Sequence, residues 1–204
     1  SDSFVHLHVH SEYSMLDGAA RIKPLMEATA KEGMPAIAMT DHGNTFGAFE
    51  FASAAQAAGV KPIIGMEAYV TPGTHRSDKT RVRWGTPDQN DDDVSGSGAY
   101  THMTLLAENT TGMHNLFRMS SLASIEGYYF KPRIDRELLE RYSKGVIATT
   151  GCVGGEVQTR LRLGQYDAAR AAAADFRDIF GKDNFFAEIM DHGIEAERKI
   201  QSEM

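Results

Sequence analysis

The feature that most restricts how this chain can fold is the placing of its ligand-type side chains. His8-Val9-His10, Asp41-His42-Gly43, Glu67 and Gly151-Cys152-Val153 lie far apart in sequence. All but one of these stretches sit at or just beyond the end of a predicted strand. A chain that uses such residues together needs a scaffold that delivers several strand ends to one rim, as hydrolytic metal sites on α/β scaffolds do.

The strand and helix pattern supplies such a scaffold. Residues 4–10 alternate, with Val5, Leu7 and Val9 on one face and His6, His8 and His10 on the other, the period of a strand. Helical spacing over 22–32 stops at Gly33, and an Ala-rich helix over 46–58 stops at Gly59. Further strands are predicted at 36–40, 62–70, 103–107, 145–150 and 184–190. Helices are predicted around Met113–Phe117 and at 135–142, 154–163 and 165–180. Ala196, Ile200 and Met204 keep a helical period to the last residue. Strands alternating with helices imply an α/β sheet or a TIM-barrel-like barrel. The exception is 71–101, rich in Gly, Asp, Ser and Thr, which is expected to be a long mobile loop.

Each candidate has a chemical reason. Residues two apart on a strand share a face, so His8 and His10 can converge on one metal or on neighbouring ones. His6 shares that face but reads as structural. His42 follows an apolar strand, with Gly43 allowing a sharp turn and Asp41 available as the acceptor that orients a ligand. Glu67 interrupts the apolar run Ile63–Val70, and an unpaired buried carboxylate needs a cation or water. His102 opens a strand instead of closing one. With no helix between 62–70 and 103–107, an antiparallel pairing of those strands would make Glu67 and His102 neighbours. Cys152 follows the strand 146–150, and Asp17 lies in an Asp-Gly turn. Imidazole, carboxylate and thiolate donors together suit zinc, with manganese or iron as alternatives, and so many donors imply two or three ions.

Other features carry less. Asp191 and His192 are adjacent, so on a strand they would face opposite ways. Arg76, Lys79, Arg81, Arg83 and Trp84 could touch a nucleic-acid backbone and stack a base, against the simpler reading of a solvated basic loop beside an acidic one. His75 and His114 read as surface or packing residues. Lys131 and Arg133 could hold a phosphate or DNA near the site. The formal net charge of −7 argues against a domain that holds nucleic acid by its own field. A single cysteine excludes an internal disulfide and fits a reducing, cytoplasmic setting. No apolar run is long enough to span a membrane, and the strand beginning at Phe4 leaves no room for a signal peptide.

The run Phe4 to Gly18, with Thr40-Asp41-His42-Gly43, Gly65-Met66-Glu67, His102 with Leu105-Leu106-Ala107, Lys131-Pro132-Arg133-Ile134-Asp135 and Thr150-Gly151-Cys152, resembles the PHP (polymerase and histidinol phosphatase) domain. It is most similar to the version at the N-terminus of the alpha subunit of bacterial replicative (C-family) polymerases, in an actinobacterial or mycobacterial style. The resemblance covers essentially residues 1–204. It implies a distorted (βα)7 barrel with a trinuclear centre held by His8, His10, Asp17, His42, Glu67, His102 and Cys152. The family's closing Asp-x-His pair is not found, so the expectation is a domain truncated before its final strand. The implied activity is metal-dependent 3′–5′ exonuclease proofreading at a DNA primer 3′ end. The implied partners are the remaining polymerase domains and, through them, replisome subunits such as the sliding clamp. Two readings compete: a small-molecule phosphomonoesterase of the histidinol-phosphatase type, and a non-catalytic structural or docking domain.

Overall fold

The computed structural model describes residues 4–204. Helix α1 (Ile22–Lys31) turns Ile22, Met26 and Thr29 inward. Strand β1 (Ala36–Met39) is buried throughout. Helix α2 (Ala48–Ala58) ends at Gly59 in the left-handed conformation expected of a glycine stop. Strand β2 (Lys61–Val70) follows. After a 3₁₀ stretch (Pro87–Asp92) and a short helical turn α3 (Ser95–Gly98) come β3 (Thr101–Ala107), α4 (Thr110–Glu126), β4 (Arg133–Ile134), α5 (Arg136–Tyr142) and β5 (Val146–Thr149). Helices α6 (Glu156–Arg162) and α7 (Tyr166–Phe180), strand β6 (Phe185–Phe186) and helix α8 (Glu195–Gln201) complete the chain.

The result is a mixed α/β fold. Its sheet runs β1-β2-β3-β5-β6, with β4 paired to the end of β2. Strand β3 is antiparallel to both β2 and β5, whereas β1–β2 and β5–β6 are parallel. One reversed strand therefore starts at the end where its neighbours finish. That is the arrangement expected from the missing helix, and it brings His102 to the rim.

The two faces of the sheet differ. Side chains alternate along a strand, and Met66, Ala68 and Val70 of β2 with Met103 and Leu105 of β3 turn to one side. There they meet Leu116 and Met119 of α4, Leu138 of α5 and Phe176 of α7 in the main core. A smaller core joins Ile22, Met26, Ile37, Met39 and Phe51 around α1, α2 and β1. The opposite face of β2 and β3 carries Glu67, His102 and Thr104, with Glu67 and Thr104 each only 1% exposed. Polar groups buried this deeply must find partners: Glu67 meets His102, and Thr104 meets His8 and Glu188.

Two expectations change. Residues 4–10 are not a regular strand. The segment bonds to β1 through Ala38 N to His6 O and Thr40 N to Val9 O, while the Thr40 hydroxyl accepts from Val9 N at 2.7 Å. That side-chain bond displaces the next rung, and Leu7 is left exposed. The predicted strand 184–190 shortens to two residues. The 71–101 segment carries defined contacts to the rest of the fold. Val82 N bonds Gly98 O, Asp93 accepts from the N–H groups of Trp84, Gly85 and Val94, and the Arg160 guanidinium lies 3.6 Å from the Trp84 ring centroid.

Candidate metal centre

Glu67 is the hub. Its Oε2 accepts from His8 Nε2 at 2.8 Å and from His10 Nε2 at 2.5 Å. Its Oε1 accepts from His102 Nδ1 and lies 3.5 Å from Cys152 Sγ. His42 arrives from the continuation of β1. Glu67 N donates to Asp41 O and Gly43 N to Glu67 O, which sets His42 beside Glu67 with its Nδ1 3.8 Å from Oε2. Asp17 closes the outer side, 2.9 Å from His42 Nε2 and 3.0 Å from His10 Nδ1. The seven side chains line one cavity together with Met190, His192 and Glu197.

Local structure explains the placing. Gly43 has φ of 69°, and a Cβ there would stand 2.9 Å from Pro132 Cγ and 3.0 Å from the Tyr69 ring, so only glycine lets the chain turn after His42. Asp41 is buried and does not orient an imidazole, contrary to expectation. Its carboxylate accepts from Ser11 N, Ser11 Oγ and Ser14 Oγ at 2.6–2.7 Å. It therefore fixes the 11–18 loop that carries Asp17.

The orienting carboxylate is Glu188, which the sequence reading missed. It accepts from His8 Nδ1 at 2.6 Å and from Thr104 Oγ1 at 3.1 Å, and Thr149 Oγ1 also donates to it. A signal was present: Glu188 interrupts Phe185-Phe186-Ala187-Glu188-Ile189-Met190 just as Glu67 interrupts its own apolar run. His192 was also set aside. It lines the same cavity, and its Nδ1 donates to buried Glu197 at 2.8 Å.

Arg133 corrects the expectation of a phosphate contact. It is fully buried, and its guanidinium donates to the carbonyls of Gly127, Ala99, Arg76 and Asp78 at 3.0, 3.2, 2.9 and 2.8 Å. Four of its five N–H groups are thereby held by carbonyls of the fold, and the side chain does not reach the surface. Lys131 differs: its Nζ lies 5.6 Å from the Tyr69 ring centroid, and Tyr69 stacks on His42 at 5.6 Å and 12°.

The electrostatics follow from crowding. Burial opposes a charged His8, but hydrogen bonds to Glu188 and Glu67 outweigh it and raise the imidazole to about 10. His10 moves up for the same reason, against its own burial. Burial likewise opposes ionised Glu67, yet the imidazoles of His10, His102 and His8 hold it well below the usual carboxylate range. Burial, reinforced by Glu67, pushes the Cys152 thiol up.

The donor set fits divalent metal. Within each of three overlapping groups, His8–His10–Glu67, His10–Asp17–His42 and His42–Glu67–His102, one ligand atom per residue lies within 4.8 Å of the others. Among the described residues the buried His42 Nδ1 has no hydrogen-bond partner. His8 and His10 each face two carboxylates, a pattern that protons satisfy only when both rings are doubly protonated and that cations satisfy directly.

A mixed α/β sheet gathering these donors defines a class, and sequence comparison agrees with it. The family model described as the PHP domain matches residues 6–192, and the chain belongs to that family. It is similar to the DNA polymerase III subunit alpha of Mycobacterium tuberculosis (58% identity over 98% of this chain and 17% of the relative). The same subunit of Saccharopolyspora erythraea is also 58% identical, with the same coverage, and that of Deinococcus radiodurans is 48% identical over 96% of this chain and 14% of the relative. The chain thus spans only 14–17% of the length of these curated relatives. Among solved structures, an amidohydrolase from Chromobacterium violaceum is 23% identical over 59% of this chain and 33% of its own, with a TM-score of 0.38. Among the described residues no helix is long and apolar enough to cross a membrane.

Proposed function

We propose that this chain is a metal-dependent phosphodiesterase unit, acting as the 3′–5′ exonuclease of a replicative DNA polymerase on the 3′ end of a primer strand. His8, His10, Asp17, His42, Glu67, His102 and Cys152 would hold the ions, with the sheet forming part of the family's distorted barrel. The observation that carries the reading is Glu67, a buried carboxylate fenced by three imidazoles beside an unpartnered His42 nitrogen. When bound, divalent cations, with zinc best matched to this mix of nitrogen, oxygen and sulfur donors, supply an acidified water and neutralise charge on a phosphate.

The chain's own residues do the rest. Glu188 and Thr104 fix the His8 ring by holding the nitrogen that faces away from Glu67. Asp41 anchors the loop that presents Asp17. Lys131, one ring away from His42, meets a non-bridging phosphate oxygen. Water adds to phosphorus, and the 3′-oxygen of the penultimate nucleotide leaves. Replacing His8 or His42 with Ala in the complete polymerase should abolish metal-dependent removal of 3′ nucleotides while nucleotide addition continues. Undiminished removal in both variants refutes the assignment.

A second role is favoured by one observation. Met15, Leu16, Phe46 and Phe49 are 78–91% exposed on the loop before Asp17 and on the segment after His42. Apolar exposure of that density marks a contact surface, here for the remaining domains of a longer polymerase.

A further inference from the structure

The turn that follows α4 holds a feature that the metal cluster does not explain. Tyr129 N bonds Lys131 O at 3.1 Å, and Phe130 between them has φ of 62°, a left-handed conformation that side chains disfavour. Packing does not compensate, because the Phe130 ring is 57% exposed. Backbone strain that displays an aromatic ring to solvent belongs to a binding surface more often than to a core.

The surroundings point the same way. The Arg81 guanidinium lies 5.1 Å from the Phe130 centroid, and its Nε donates to Tyr129 Oη at 3.3 Å. Lys131 stands over Tyr69, which stacks on His42, and Pro132 abuts Gly43. A chain of net charge −7 thus sets two cations and one exposed aromatic ring on a ledge beside the cavity.

We propose that this ledge binds the unpaired nucleotides of a single-stranded nucleic-acid end whose terminus enters the cavity. A base stacks on the exposed part of the Phe130 ring, and the backbone phosphates meet Arg81 and Lys131. Only an unpaired base offers a free face to an aromatic side chain, so a paired end or a small phosphomonoester gains nothing from the ledge. The inference rests on the hydrolytic reading above for the direction in which the strand runs, and it selects frayed, single-stranded ends as the substrate.

The test uses the complete protein. Phe130→Gly removes the ring and relieves the backbone, so loss of folding does not explain its effect; Arg81→Ala, outside the cavity lining, removes one ledge charge and should likewise weaken hydrolysis of the oligomer alone. Hydrolysis is compared on oligothymidylate and on the p-nitrophenyl ester of thymidine 5′-phosphate, a diester too short to reach the ledge. Separately, in EDTA, an oligonucleotide carrying 5-iodouracil at the penultimate position is photo-crosslinked and the attached peptide is identified by mass. Phe130→Gly should lower kcat/KM on the oligomer by about 5-fold or more, the least that one stacked base contributes, and leave the small ester unchanged. The crosslink should fall on the peptide containing Phe130. Oligomer hydrolysis unchanged by Phe130→Gly, with the crosslink elsewhere, overturns the ledge while sparing the nuclease reading. A crosslink at Phe130 in a protein that hydrolyses neither diester overturns the nuclease reading and supports the ledge as a binding surface.

Discussion

Replacing Arg133 with Met should loosen the 71–101 segment before it unfolds the rest. The guanidinium joins the carbonyls of Arg76, Asp78 and Ala99, all in or bordering that segment, to Gly127 at the end of α4. Methionine fills much of the same volume but donates nothing, leaving the carbonyls of Gly127, Ala99 and Arg76 without a partner in a buried site. Each buried unsatisfied group costs about 1–3 kcal/mol. Taking the low end for these three carbonyls gives about 3 kcal/mol. That is a large part of the roughly 5–15 kcal/mol that a domain has. Trp84, the only tryptophan, sits in the tied segment, so its fluorescence reports that segment in a urea titration while circular dichroism reports the helices. In the wild type the two transitions should coincide; in the variant the Trp84 transition should come first, and both midpoints should fall. Arg133→Lys should lie between them, because an ammonium has only three donors and no planar fork. A loss below about 1 kcal/mol, with the two probes still coincident, would refute the reasoning.

Three further outcomes follow from single residues. Glu67→Gln removes the charge that three imidazoles share, and the purified protein should lose stoichiometric divalent metal by mass spectrometry while keeping its helical circular dichroism; full metal content would contradict the hub role. Burial opposes ionised Asp93, but backbone N–H groups of Trp84, Val94 and Gly85 hold its carboxyl below the usual value. Its stabilisation is therefore present above the unfolded value of about 3.9 and lost as pH falls through the lower folded value. The Tm gap between wild type and Asp93→Asn should accordingly narrow in acid, and a gap constant from pH 7 down to 2 counts against it. Gly43→Ala should cost about 1–2 kcal/mol from its left-handed backbone alone, measured by thermal melting, and should weaken metal uptake by moving His42; a neutral variant would show that the turn is not constrained.

The sequence showed much of this because its clearest signals were topological. A missing helix between two apolar runs implies an antiparallel pair that makes Glu67 and His102 neighbours. The strands do pair antiparallel, with Tyr69 opposite His102 and Glu67 opposite Thr104, and His102 reaches Glu67 diagonally on the same face. What stayed hidden depended on contacts that no local pattern records. Arg133, beside Lys131 and Pro132, reads as a surface cation, and only the carbonyls of distant loops make it a buried clamp. Strand β4 is two residues long and leaves no period to detect. The 71–101 composition signalled a loop correctly, but its order comes from single bonds to Asp93, Arg133 and Arg160 spread across the fold.

The ligand cluster and the hydrophobic core are consequences of one pattern. Alternation along β2 and β3 puts Met66, Ala68, Met103 and Leu105 against the helices and Glu67, His102 and Thr104 on the opposite side. A one-residue slip of β3 against β2 would turn His102 into the core and Met103 into the cavity. The apolar packing that stabilises the sheet therefore also sets the register that holds an imidazole against Glu67. The reversed direction of β3 decides which end of the sheet carries the site. For this reason the site should survive changes among exposed residues away from the cavity and fail with any change that shifts β3, even a distant one.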